Sequence, residues 1–349
     1  MSASEPRADR GSPLPNFARR ALALAMLPLA FALPFALDFA PESAAWADAA
    51  QAASGTAAPA AVSGSRQGSS YASAEQAVAE FMSAMRSTHP AAVLSVLGPA
   101  GQDLLESGDP VADRKFRERV VKAYDDAHSL VLDGADRATL VIGPESWTLP
   151  IPLVRQDSGW RFDTAAGVQK ILDRRVGRNE LNVIQVCREF VAAQREFAAL
   201  QSGAPARGHA ALYAARFESS PGKHDGLYWE TKPGEKPSPL GPLMARARAH
   251  GYGDSGPGQS ASPYHGYYYR ILTAQGPHAP GGARNFLTDA GLSGGFALLA
   301  FPAKWGDSGI MSFLVNQDGI VFERNLGPDT ERIARELQLF DPDTNWHTP

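Results

Sequence analysis

The chain of 349 residues has a single cysteine, Cys187, which excludes an intramolecular disulfide and any cysteine cluster able to hold a metal. Beside Val186 and Phe190 in a helical pattern, that thiol is expected to act as a small core hydrophobe. A basic excess is also missing. With 33 Lys and Arg against 37 Asp and Glu, the formal charge is -4 and the pI is near 6.1, so no electrostatic argument draws the chain to nucleic acid. His265, His278 and His347 are too widely separated for the short paired spacings of a zinc site. There is no phosphate-binding loop, no dinucleotide fingerprint between a strand and a helix, and no G-x-S-x-G elbow. Gly291-Leu292-Ser293-Gly294-Gly295 comes near the last of these but precedes a strand, where a serine is not thrust out as a nucleophile. The common hydrolase and nucleotide classes therefore leave the front rank, and no cofactor is expected.

Long apolar runs are scarce outside the amino terminus. There, Arg7, Arg10, Arg19 and Arg20 precede an apolar run from Ala21 to Leu37, and Ala45-Trp46-Ala47 offers a small-x-small cleavage site. This predicts a signal peptide over 1–47 and a periplasmic or secreted product with no transmembrane span after processing. The Arg19-Arg20 pair leaves the Sec and twin-arginine routes both open. Residues 48–72 are Ala, Gly, Ser, Gln and Pro with little to bury, the composition of a flexible tether.

Ser73-Ala74-Glu75-Gln76 then reads as a capping box before a helix carrying Ala77, Val78, Phe81, Met82 and Met85. Pro90 and Asp109-Pro110 start a second and a third helix. Four strands follow at 129–133, 137–142, 147–154 and 160–163, with turns at Asp133-Gly134 and Asp157-Ser158-Gly159. Helices first and strands after argue for an α+β fold, helices packed on antiparallel meander sheets, with 73–176 as a first domain. The order, and the closing Gly159-Trp160-Arg161-Phe162-Asp163 strand, resemble small exported domains of the cystatin-like or nuclear-transport-factor-like type.

A second domain is expected over 177–349. Val168 to Arg175 reads as helix, Gly177 permits a break, and a stronger helix runs from Asn179 to Gln201 with Val183, Val186, Phe190, Ala193, Phe197 and Leu200 on one stripe. Gly208 to Phe217 reads as a short helical turn, and Glu218 to Pro263, around Tyr228-Trp229, as an irregular loop of the kind that is functional or mobile. Four strands are expected at Gly266 to Leu272, Gly295 to Phe301, Ile310 to Val315 and Ile320 to Glu323, the last two joined by Asn316-Gln317-Asp318-Gly319. Phe190, Phe197 and Phe313 are expected to share one core.

On Gly266-Tyr267-Tyr268-Tyr269-Arg270, Gln275-Gly276-Pro277-His278-Ala279-Pro280-Gly281-Gly282, and Gly295 through Gly327 into Pro328-Asp329-Thr330, the segment from Leu181 to Pro349 resembles a family of exported bacterial proteins known as a domain of unknown function, which brings no catalytic residues. The long helix followed by a meander with Ala300-Phe301-Pro302 and Asp318-Gly319-Ile320 is also similar to the globular head of type IV pilin-like proteins. The amino terminus lacks the pilin processing signal and assembly helix, so the resemblance implies a fold and not a filament.

The candidate binding residues are His278, Lys304, Asp307, Arg270 and Trp305. His278 lies between stiffening prolines and reads either as base or ligand or as an exposed loop-tip histidine. Lys304, Trp305 and Asp307 share a loop that with Arg270 would make a polar pocket, or serve only to organise a turn. Tyr267 and Tyr269 share one strand face, either as an aromatic platform or as core. The leading expectation is a non-catalytic envelope interaction or structural module whose partner is another envelope protein or a cell-wall component. A small-ligand or glycan binder using the loops around His278 and Lys304, and an uncharacterised hydrolase, are the alternatives.

Overall fold

Ser73 caps the first helix as its spacing requires: its side chain accepts from the Gln76 amide, and Gln76 reaches back to the Ala72 amide at 3.1 Å. A computed structural model describes residues 68–87, 89–157, 159–201, 211–252 and 262–349. The expected signal peptide and the tether as far as residue 67 lie outside the described residues.

Helix α1 (Ala74–Arg86) buries Ala77, Val78, Phe81, Met82 and Met85. Helix α2 (Pro90–Leu97) starts on Pro90, and α4 (Pro110–Asp126) starts under an Asp109 cap that accepts from Ala112. Between them lie a 3-10 turn (Pro99–Gly101) and a short α3 (Gln102–Leu105), so among the described residues four α-helices and not three precede the strands. Strands β1 (His128–Leu132), β2 (Arg137–Ile142), β3 (Trp147–Thr148), β4 (Leu153–Gln156) and β5 (Gly159–Phe162) form an antiparallel sheet in the order β1-β2-β4-β5, with β3 also on β2. The expected strand 147–154 is split, because Pro150 and Pro152 withhold ladder donors. One face of this sheet meets the helices in a core that includes Phe81, Met82, Leu97, Leu140, Ile151 and Phe162.

Helix α5 (Thr164–Gln201) is a single run of 38 residues that passes through Gly177 without a break. Glycine permits a break but does not impose one, and each side of Gly177 is held by its own core: Ile171 and Leu172 join the first, while Val183, Cys187, Phe190 and Phe197 join the second. The buried stripe ends at Ala198; Leu200, expected inside, is 43% exposed.

The second core is built on β6 (Tyr267–Leu272), β11 (Ala297–Pro302), β12 (Met311–Asn316) and β13 (Val321–Asn325), antiparallel in the order β13-β12-β11-β6. Short pairs β7 (Ala274–Gln275) with β8 (Arg284–Asn285), and β9 (Leu287–Thr288) with β10 (Gly291–Leu292), fill the excursion between β6 and β11. The β12–β13 turn places Gly319 at φ 82°, a left-handed position that glycine takes at no steric cost. Helix α5 lies on the face carrying Tyr267, Tyr269 and Phe313, and Phe190, Phe197 and Phe313 do share one core. The opposite face is covered too, by α7 (Thr330–Glu336) and the carboxy-terminal tail. Phe340 bridges to Gln275 and His347 to Glu323, so the tail is tied at both sides of the sheet. Double coverage explains why β11 and β12 are almost wholly buried and lack a solvent-exposed face.

Two further expectations are corrected. Residues 211–217 are irregular and not helical: Tyr213 bridges to Leu292, and the fully buried Gln194 side chain accepts from the Ala214 amide at 2.9 Å and donates to its carbonyl at 2.8 Å. The stretch after Glu218 is anchored by the buried Leu227 and Leu240 and contains α6 (Gly241–Ala249). No described helix is long and apolar enough to cross a membrane.

Candidate functional site

Arg270 stands on β6, facing α7. Its guanidinium donates to the carbonyls of Ala334 at 2.5 Å and Arg335 at 3.3 Å and also to that of Leu337, so it caps the helix end where backbone acceptors have no partners of their own.

Lys304, Trp305 and Asp307 sit on the β11–β12 loop, from which Lys304 reaches α3 beside the first core. The Lys304 Nζ pairs with Asp307 and, at 3.1 Å, with Asp103 in α3. Burial works to lower the Lys304 pKa, and the hydrogen bonds from Asp307 and Asp103 overcome it, leaving the ammonium above its usual value. Asn179 on α5 donates to the Ser308 carbonyl at 2.9 Å, and Glu180 accepts from the Ile310 and Met311 amides at 2.9 Å. Trp305 Nε1 donates to Asn325 at 3.0 Å. Close by, the buried Asp109 carboxylate accepts from Tyr252 Oη and the Gly266 amide, both at 2.9 Å. Arg175 donates to the Asp103 and Leu104 carbonyls at 2.8 and 2.7 Å, with its pKa lowered by burial. This is a polar seam that fastens one core to the other.

His278 lies beyond the other end of β6. Asp341 in the tail accepts from its amide at 2.7 Å and pairs with its Nδ1 at 2.9 Å, raising the imidazole's pKa. Gln275, buried beneath the same loop, donates to the Pro280 and Gly282 carbonyls at 2.9 and 2.7 Å. The histidine is exposed, as expected, but it is also the point where the tail is pinned. Since Tyr267 pairs with Pro302 and Leu272 with Ala297, the Lys304 and His278 loops leave opposite ends of β6, separated by roughly 17 Å of strand. Lys304 and Asp307 come together; Arg270 and His278 stay apart from them and from each other. Tyr267 and Tyr269 are core: Tyr267 is fully buried and donates to the Met311 carbonyl at 2.9 Å. Ser293 shares a 2.8 Å hydrogen bond with Thr288. Cys187 is buried, its thiol pushed up to about 12 by desolvation. No group of three His, Cys, Asp or Glu among the described residues is placed to hold a metal.

A concave surface lies elsewhere, on the stretch read from sequence as an irregular loop. Glu218 to Glu230 folds back on itself and, with Arg248 from α6, encloses a cleft of about 430 Å³. The fold-back rests on a bridge between Glu218 and Tyr228, with Ser219 N donating to the Tyr228 carbonyl and Tyr228 N to that of Phe217, both at 2.8 Å. Gly226 is required by close approach, because a Cβ there would lie 2.6 Å from the Glu218 carbonyl carbon. Asp225 braces the tip: it accepts from Ser220 N at 2.7 Å and Ser220 Oγ at 2.8 Å, which holds its carboxyl below the usual range. His224 stacks on Trp229 at 4.2 Å and 14°. The Arg248 guanidinium lies over the Tyr228 ring at 5.0 Å, donates to its hydroxyl at 2.6 Å and faces Glu230 at 3.8 Å. Tyr228 and Trp229 were visible in sequence as aromatics in a polar loop. Arg248 was not, since the helix that delivers it was read as loop.

No curated protein and no solved structure matches the chain. Residues 68–348 match the family described as "Protein of unknown function (DUF2950)", and over that span, most of its length, the chain belongs to this family.

Proposed function

We propose that the chain is an exported module of the bacterial envelope that holds a partner without transforming it, the partner being an envelope protein or a cell-wall component. The observation that carries this reading is how the polar side chains are divided. Arg270, His278, Lys304, Asp307 and Trp305 are engaged in bonds to the chain's own helices, loops and tail. What remains in a concave setting is a braced cleft with two half-buried aromatic rings and charged groups at its rim. Its hydroxyls are engaged as well: Ser220 Oγ donates to Asp225, and Ser219 Oγ accepts from the Gly226 amide at 3.0 Å. A scaffold with fixed loops and an open, mixed-polarity cleft suits binding. The arginines, the apolar run and Ala45-Trp46-Ala47 support export, and α5 lying across a four-stranded antiparallel sheet supports a pilin-like head.

Cells producing the full chain should yield a product beginning near Asp48 that sediments with the envelope and is released from it by salt, detergent or wall digestion. A main pool of intact chain in the soluble cytoplasm would overturn the proposal.

A further inference from the structure

The cleft around Tyr228 and Trp229 has a composition that narrows what it can hold. Two carboxylates, Glu218 and Glu230, stand against two cations, Lys223 and Arg248, so the lining has no net charge to recruit a polyanion or a polycation. An apolar ligand is equally ill matched, because most of the lining is polar: Ser219, Ser220 and His224 join the four charged groups. What fits is a neutral ligand with apolar C–H faces and many hydroxyl or amide groups around its edge. Aromatic rings meet the apolar C–H faces, while Arg and Glu take the hydroxyls as donor and acceptor. The two rings are also held in place before any ligand arrives, Trp229 by the His224 stack and Tyr228 by Arg248. Gln201 donates to the His224 carbonyl at 3.1 Å, tying the rim to the end of α5. Such preorganisation lowers the ordering cost of binding.

We propose that this cleft is a carbohydrate-binding site in which Tyr228 and Trp229 supply the aromatic contacts to a sugar ring and Arg248 and Glu230 read its hydroxyl or acetamido groups. The proposal rests on the reading of the chain as a binding module and names the site and ligand class within it.

The test is titration of the folded protein with N-acetylglucosamine trisaccharide and, separately, with a neutral glucose trisaccharide, followed by saturation-transfer NMR and calorimetry. Binding of either by the natural chain, weakened roughly tenfold or more in Trp229→Ala and in Arg248→Met but kept in Trp229→Phe and in the distant His278→Ala, is expected. Which trisaccharide binds decides between wall amino sugars and glucans. Arg248→Met covers the case in which Trp229→Ala does not fold. Absence of transfer from both trisaccharides at millimolar concentration, or undiminished binding by Arg248→Met and Trp229→Ala, would overturn the site. Envelope sedimentation of the same variants separates the two proposals: retention without sugar binding removes the site and leaves the module, whereas loss of retention by the natural chain removes the module.

Discussion

His278 and Phe313 show how differently two prominent residues can be used. Phe313 is fully buried against Tyr267, 5.9 Å between ring centres, in the core that also holds Phe190 and Phe197. Phe313→Ala should therefore cost about 3–5 kcal/mol in chemical denaturation. His278 is exposed, with Asp341 as its partner. A histidine whose folded pKa is raised adds stability that is fully present below its unfolded pKa, about 6.5, and is lost as pH rises through the folded value. NMR titration should place His278 above the ordinary histidine range, and Asp341→Asn should return it there; an unchanged titration in that variant would remove Asp341 as the cause. Sequence alone exposed the aromatic stripe, because periodicity encodes burial. It did not expose Asp341, which meets His278 only because the tail returns beside β7.

Among the elements, those with strong internal signals were legible. The capped α1, the Pro-initiated α2 and α4, the Asp133-Gly134 hairpin and the Asn316 to Gly319 hairpin all form where the sequence places them. Elements fixed by distant partners were not. The 211–217 segment has helix-forming alanines, but Gln194 offers Ala214 a substitute for a neighbouring strand, and the tertiary bonds win. Gln194→Leu should cost about 1–3 kcal/mol for each backbone group it orphans, with amide exchange at Ala214 faster than in the natural chain; unchanged exchange there would show that the glutamine is dispensable. Helix α6 begins with Gly-Pro and is short, which hid it inside a glycine- and proline-rich span. The cleft was illegible for the same reason, since one wall depends on that helix.

At the scale of the whole molecule, the described residues all fall within the compact unit Gly55–Pro349, which contains two hydrophobic cores joined by α5 and the polar seam. Cys187, the only thiol, reports on the second core: a disulfide reagent should label it at the rate of opening of that core, and rapid labelling of the native chain would contradict its burial. The 38-residue α5 is about 57 Å long, and its two halves join different cores. Its consequence is cooperativity. A helix shared by two cores passes the loss of one to the other only as far as the turn between them stays wound, and Gly177 is that turn's weakest residue. A methyl at Gly177 meets nothing within 4 Å, so Gly177→Ala should tighten the link by about 1 kcal/mol and draw the melting of the halves together. The glycine thus sets how nearly this chain unfolds as one body or as two in succession.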